Sequence, residues 1–565
     1  MVLHRSPFGQ TFRISLLIGF LFFSQDIFSQ DTLSKKNQDT LSRKDFLIGE
    51  KFLDLNFTEA EIDSMYFAVR NNVRAINTMH KYHLDNSVPI TLAYSPVLPG
   101  MKFNKVQNPV KWNLPVAGLP KNKNELAFYS ILQLASLIKN KKITSVDLTK
   151  FFIDRLKKYG DSLQCIISLT EDIAMQQATQ ADKEIAAGKY RGVLHGIPYG
   201  LKDLFAVKGT KTTWGAAPYK DQTIDEDAYV YTKLKEAGAV LIAKFTLGAL
   251  AQGDYWYGGR TRNPWNTKFG SSGSSAGSTA ATVAGLVPFA IGTETLGSII
   301  SPATTCGATG LRPTFGSISR SGAMTLSWSM DKAGPLCRSA EDAAVVFYYL
   351  HGTDGKDASA VNMPFNYTGK SDLSKLKIAY AKNYFSRRDT LGNEQSVLET
   401  FKKAGAQLIP VDFPDSGIYN FNMTGLILTV EAAAAFDELT RTDLDDMMTR
   451  QGRGDWPNSF RTSRFIPAVD YINANRHRWL LMQKINEFMS QYDVVICPSF
   501  AGSQLRITNL TGHPAICMPT GFNKNHLPTS ITLVGKLYDE ATLLAIAKAY
   551  QQVTQWDEMH PEMFK

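Results

Sequence analysis

The chain has 565 residues, 44% hydrophobic and 20% charged, with a formal charge of +9. That length allows a large core and several domains, and the composition is that of an ordinary globular protein. The positive residues are scattered, as in LKKYG and VKGTK, whereas a nucleic-acid surface needs them gathered in a stripe, so no nucleic-acid partner is expected.

The first thirty residues differ from the rest. Arg5 and Arg13 precede an apolar run, Ile14 to Phe23, then come Ser24–Ser29 and the polar QDTLSKKNQDTLSRK. A charged start, an apolar run of roughly 10 residues and a small residue before a polar segment predict a signal peptide over residues 1–29, cut after Ser29. The run is shorter than the about 20 residues that span a bilayer. A secreted or periplasmic location without stable membrane insertion is the expectation. No cysteine lies nearby to carry a lipid. Cys165, Cys306, Cys337, Cys497 and Cys517 are too few and too scattered for a disulfide framework, though export would permit a pair among them.

Residues 30–123 read as a polar spacer and a helical extension strapped onto the main domain. QDTLS occurs twice, at Gln30–Ser34 and Gln38–Ser42, as a flexible spacer. From residue 45 to about 84 the apolar residues Ile62, Met65, Val69, Val73 and Ile76 keep helical spacing. A connection punctuated by Pro89, Pro96, Pro99, Pro109, Pro115 and Pro120 follows.

The main domain is predicted over 124–565. Glu125–Lys139 is an amphipathic helix, and Thr144 with Asp147 is a capping box opening a helix that closes near Gly160. Glu171–Ala187 is a third helix, and DAYVYTKLKEAG a fourth that stops at Gly238. AVLIAK, LKIAYA, AQLIPV, DVVICP, PAICMP and SITLVG read as strands, and Ala541–Gln552 as the last helix. This alternation argues an α/β fold with a covered sheet in one domain.

The segment SGSSAGSTAATVAGLVPFAIGTETLGSIISPA, Ser272 to Ala303, holds serines in two loops of small residues, Ser274 and Ser298. A serine hydroxyl needs a base to become a nucleophile. Lysine serves only if its amine is neutral, which desolvation favours. Lys202, in the apolar approach GIPYGLKD just after a predicted strand, suits a buried amine, with Asp203 beside it. In GTETLGSI the backbone N–H groups of Thr295, Leu296, Gly297 and Ser298 could face a developing oxyanion.

Other motifs are weaker. GSSGSSAGS lacks the lysine of a phosphate loop and the spacing of a dinucleotide turn. Two S-x-x-K strings, Ser136 to Lys139 and Ser329 to Lys332, match a penicillin-binding-type pattern by length alone. His80 and His83 read as solvated, and without C-x-x-C or H-E-x-x-H no zinc site or other cofactor is implied. Cys306 reads as a small packing residue.

Three stretches, GVLHGIPYGLKDLFAVKGTKTTWGA, GGRTRNPWNTKFGSSGSSAGSTAATVAGLVPFAIGTETLGSIISPA and GLRPTFGSISRSGAMTLSWSMDKAGPL, together with HPAICMPTGF, resemble the amidase signature family from about Glu125 to about Gln555. The resemblance implies an α/β fold with a mixed, mostly parallel central sheet covered by helices on both faces. It implies Lys202 as the catalytic lysine, Ser274 as a bridging serine in an unusual cis peptide, and Ser298 as the acyl-forming nucleophile. It further implies a proton relay from Ser298 through Ser274 to Lys202, and water cleaving the acyl-enzyme. The usual GGSSGG reads Ser272–Gly277 as SGSSAG, and the usual G-T-D-T-G-G-S-I-R carries Glu294, Leu296 and Ile300 here. Glu294 with Ile300 resembles the branch that includes peptide amidases. The expectation is an exported amidase acting on a small-molecule or peptide amide. The alternatives are an A-type component of an amidotransferase, acting on aminoacyl-tRNA together with partner subunits, and an inactive binding homologue. Pocket residues are expected from Leu247–Tyr257 and Leu428–Pro467, with Leu250, Tyr255, Trp256 and Trp328 either forming an apolar or aromatic pocket or belonging to the core. Oligomeric state is not legible.

Overall fold

The computed structural model describes residues 41–53, 55–79, 81–82, 94–386, 393–416 and 422–565. The expected signal peptide and the His80/His83 pair lie outside them. Among the described residues, eleven strands form the central sheet: β1 (Ile166–Leu169), β2 (Pro198–Lys202), β3 (Val240–Phe245), β4 (Ala290–Glu294), β5 (Thr309–Arg312), β6 (Lys332–Cys337), β7 (Ile378–Ala381), β8 (Leu408–Val411), β9 (Val494–Pro498), β10 (Ala515–Phe522) and β11 (Pro528–Gly535). Their order is β1-β3-β2-β4-β6-β5-β10-β11-β9-β7-β8. The sheet is mixed, as expected, but not mostly parallel. Parallel pairing is confined to the flanks, β3-β2-β4 and β9-β7-β8. The middle is antiparallel, because short returns such as the turn between β10 and β11 reverse the chain, whereas a parallel neighbour needs a long crossover.

Alternate residues of one strand enter different cores. Val494 and Ile496 of β9 and Ile516 and Met518 of β10 pack with helices Ala340–Leu350 and Glu540–Gln551. Val495, Cys497, Ala515 and Cys517 pack with helices Ile300–Cys306, Ala468–Met489 and Gln504–Thr511. Successive side chains of a strand point to opposite faces, so both faces are covered by helices and whole strands read as apolar runs.

Several expected boundaries move. Glu125–Lys139 is two pieces, a short 3₁₀ turn Lys123–Phe128 and the helix Ile131–Lys139, because Ser130 and Gln133 form a capping box between them. Thr144 caps the next helix as expected, but the helix runs through Gly160 to Leu163 and ends on left-handed Gln164. Gly160 is a packing residue, since a Cβ there would strike Ile166. Gly238, at φ +81°, does follow the helix Tyr229–Glu236. The single helical pattern before residue 84 is two helices, Arg43–Leu53 and Glu59–Met79. They are broken where Thr58 and Glu61 cap the second. Ile76 and Met79 enter the larger molecule's core, while Phe46, Ile62, Met65 and Val69 make a small cluster against Phe465. All five cysteines are buried free thiols. No helix among the described residues is long and apolar enough to cross a membrane.

Candidate active site

β2 is buried at every position and ends on Lys202. The Lys202 amine is fully buried, and its Nζ lies 2.8 Å from Ser274 Oγ, 2.8 Å from Thr293 Oγ1 and 3.2 Å from Ser275 Oγ. Burial pulls its pKa down to about 7, against the weaker upward pull of Asp331 and Glu294. A neutral amine then has a lone pair to accept the Ser274 hydroxyl proton while its N–H groups are held by Thr293 and Ser275. Asp203 does not serve Lys202. Its carboxylate faces away to Lys244 at 3.0 Å, in a fully buried pair, and accepts the Thr213 N–H.

Ser274 sits in the loop before helix Ala276–Val283, and the Gly273–Ser274 peptide bond is cis. A Cβ on Gly273 would collide with the Gly253 carbonyl, so only glycine lets these two loops meet. The Ser275 N–H donates to the Ser298 carbonyl at 3.1 Å, which binds the second serine loop to the first. Ser298 is 7% exposed.

β4 leads into the Ser298 turn, and Glu294, its last residue, shapes that turn. Glu294 Oε2 accepts the N–H groups of Ile299 and Ile300, both at 2.9 Å. Its Oε1 accepts from Arg312 Nη1 at 2.9 Å and Asn509 Nδ2 at 2.7 Å. Burial pushes the Glu294 pKa up, but Arg312, Lys332 and these donors outweigh it and hold the carboxyl below its usual range. Gly297, at φ +87°, takes the left-handed position of the turn. Leu296 therefore needs no unusual backbone, and the departure from glycine there is accommodated half-buried. The N–H groups of Thr295, Leu296, Gly297 and Ser298 donate to no protein acceptor among the described residues. Thr295 Oγ1 donates to Asp331 Oδ1 at 2.6 Å, and Asp331 Oδ2 accepts from Leu326 and Ser327 N–H.

A cavity of about 530 Å³ reaches this site at Thr293 and Thr295. Lys202, Ser274 and Ser298 do not line it. Trp328 lines it as expected, and so does Ala251. Leu250 is core, and Tyr255 and Trp256, in a two-residue strand, are not among its lining residues. Leu428–Pro467 is largely helical and contributes nothing to the lining. Neither S-x-x-K string makes a serine–lysine pair. Ser136 is buried and Lys139 exposed, while Ser329 Oγ bonds Glu431 and Lys332 Nζ bonds the Met330 carbonyl. Burial pushes the Cys306 thiol well up, away from thiolate chemistry.

Ser275, Thr293 and Asp331 were not singled out by the sequence. Ser275 was recoverable as the next residue of a serine run. Thr293 and Asp331 meet the site only through strand pairing and loop closure.

The Amidase family model matches residues 147–508. The chain is 32% identical over 483 residues to the A subunit of the glutamyl-tRNA(Gln) amidotransferase of Coxiella burnetii (strain RSA 493 / Nine Mile phase I), covering 77% of this chain and 99% of that protein. The protein of the same description from Legionella pneumophila (strain Paris) is 31% identical over 484 residues, with 77% and 99% covered. Among solved structures, the peptide amidase of Stenotrophomonas maltophilia superposes with a TM-score of 0.68 at 26% identity, over 76% of this chain and 98% of that one. A bacterial aryl acylamidase of the amidase signature family shares the fold with a TM-score of 0.67 at 21% identity, over 76% and 97%. The chain belongs to the amidase signature family and is an amidase-type hydrolase of amide C–N bonds.

Proposed function

We propose that Ser298 attacks the carbonyl of a small-molecule or peptide amide, with Ser274 passing its proton to neutral Lys202. The tetrahedral oxyanion lies against the free N–H groups of Thr295, Leu296 and Gly297. Such preorganised donors contribute about 100- to 1000-fold each. The proton returns through Ser274 to the leaving amine as the C–N bond breaks. Water, deprotonated by the same pair, then attacks the ester carbonyl, and Ser298 leaves with the proton restored. The observation that carries this is the Lys202 amine, buried, 2.8 Å from Ser274 Oγ. Export of the enzyme is part of the proposal, supported by the charged and apolar pattern of residues 1–29.

A second reading is favoured by the amidotransferase relatives, which match at higher identity than the peptide amidase. In it the chain is an A-type amidotransferase subunit that acts on aminoacyl-tRNA together with partner subunits, through the same Ser298 step. Both readings share the Ser298 step, so two measurements are needed. Ser298→Ala is expected to abolish turnover and labelling by a fluorophosphonate probe, and Lys202→Ala and Ser274→Ala to lower turnover by orders of magnitude. Wild-type turnover in Ser298→Ala would refute both readings. Turnover of neutral amides by the isolated chain, with a mature N-terminus near residue 30, supports the exported amidase. An uncut chain that needs partners to release ammonia from glutamine supports the second.

A further inference from the structure

The site's cavity is closed in part by chain that precedes the family-matched region. Tyr94 and Ser95 line it together with Phe205, Met324, Leu326 and Trp328. Its volume of about 530 Å³ falls among ligand pockets, roughly 300–1,000 Å³.

Tyr94 is held on three sides. Its hydroxyl donates to the Leu510 carbonyl at 3.0 Å. Its ring lies 3.7 Å from the Arg478 guanidinium and meets Phe315 edge-on at 4.6 Å. Arg478 also donates to the carbonyl and the hydroxyl of Ser329, beside Trp328. The extension and the Trp328 loop are therefore clamped to one guanidinium.

The buried ionisable groups of the cavity already have partners. Arg320 binds Asp357 through two nitrogens. Asp331 is occupied by Thr295 and two backbone N–H groups, and Lys332 by the Met330 carbonyl. Lys356 is exposed at the rim. Each buried ionisable group that lines the cavity thus has a hydrogen-bond partner already, so an ionic group of a substrate would find none waiting for it among the described residues, and burying a charge without a partner is costly.

From this geometry we infer that the N-terminal extension, through Tyr94 and Ser95, forms a wall of the substrate cavity and selects amides bearing a neutral, apolar group of limited length. The inference rests on the Ser298 reading above. The wall limits length, and buried ionisable groups that already have partners leave none for an ionic acyl group.

The test uses the full chain with its native extension. Rates of Ser298 labelling are measured with ethyl and dodecyl fluorophosphonates in wild type, Tyr94→Ala and Ser95→Trp. Ser95 is exposed, so its replacement keeps the fold even if Tyr94→Ala does not. Tyr94→Ala is expected to raise the dodecyl-to-ethyl ratio at least fivefold, and Ser95→Trp to lower it at least fivefold. Ratios unchanged in the folded variants, with Ser298 still labelled, overturn the wall. Labelling absent from wild type overturns the Ser298 reading, and the wall with it. For the substrate class, kcat/KM for octanamide is compared with that for glutamine, since both release ammonia. A higher value for octanamide is expected. A value for glutamine equal or higher overturns the neutral, apolar class.

Discussion

Lys202 is the base of the proposed mechanism, and its burial has a consequence that is readable in a pH profile. A buried amine loses the hydration that stabilises its charge, and the Lys202 pKa falls to about 7. Below that pH the amine is protonated and cannot take the Ser274 proton. Above it the amine is neutral and competent. kcat/KM is therefore expected to climb with pH, to reach half its maximum near 7 and then to level off. A flat profile from about pH 5 to about pH 9 would contradict this assignment of the base. Lys202→Ala should remove the climb along with most of the rate. At this scale the sequence was informative for groups within one motif. Lys202, Ser274 and Ser298 each stand in a short run of small or apolar residues. Thr293 was out of reach because it meets Lys202 only through the parallel pairing of β2 with β4, where Leu201 lies opposite Ile291. Register between strands is a tertiary fact that no local pattern carries.

The element that presents Ser298 is the strand–turn–helix unit from β4 to Ile300–Cys306, and Glu294 is its tie. One carboxylate oxygen takes the first two amides after Ser298, and the other pairs with Arg312 in a site closed to water. Glu294→Gln would leave the Arg312 guanidinium buried without a countercharge. Breaking a buried pair from one side costs about 3–5 kcal/mol. A lowered urea midpoint is expected, and with it a fall in turnover greater than the fall in substrate binding, because the turn that holds the proposed nucleophile loosens. An unchanged midpoint would show that Arg312 finds another partner. Elements were legible where apolar residues ran together, as in VLIA at the start of β3 and VVIC in β9. They were missed in β4, β5 and β6, whose sequences AIGTE, TGLR and KAGPLC carry glycine, proline or charge. Those strands sit in the middle of the sheet, where neighbours on both sides supply the pairing that the sequence does not advertise. Gly160 misled in the opposite sense. It resembles a helix stop, but its missing Cβ makes room for Ile166.

For the whole molecule, the question is whether the residues before 124 are an appendage or part of the fold. The helical spacing of Ile62, Met65, Val69 and Ile76 showed that one face of helix Glu59–Met79 is buried, but not what buries it. The structure gives that face two partners. Its start packs with Phe46 and Phe465, where Arg461 meets Glu61 at 2.9 Å and Asp445 at 2.7 Å. Its end inserts Ile76 and Met79 among the helices beneath β9 and β10. If the extension is part of the fold, removing those end contacts must destabilise the entire chain. Ile76→Ala and Met79→Ala are each expected to cost about 2–5 kcal/mol, the range for truncating a buried aliphatic side chain. Leu47→Ala, at a side chain that is half exposed, should stay within about 0.5 kcal/mol. The measurement is urea unfolding followed by tryptophan fluorescence, with Ser298 labelling followed in the same titration. Loss of labelling at the same, lowered midpoint in Ile76→Ala and Met79→Ala shows one cooperative body. A separate early transition that leaves labelling intact would make the extension a free module and detach it from the active site.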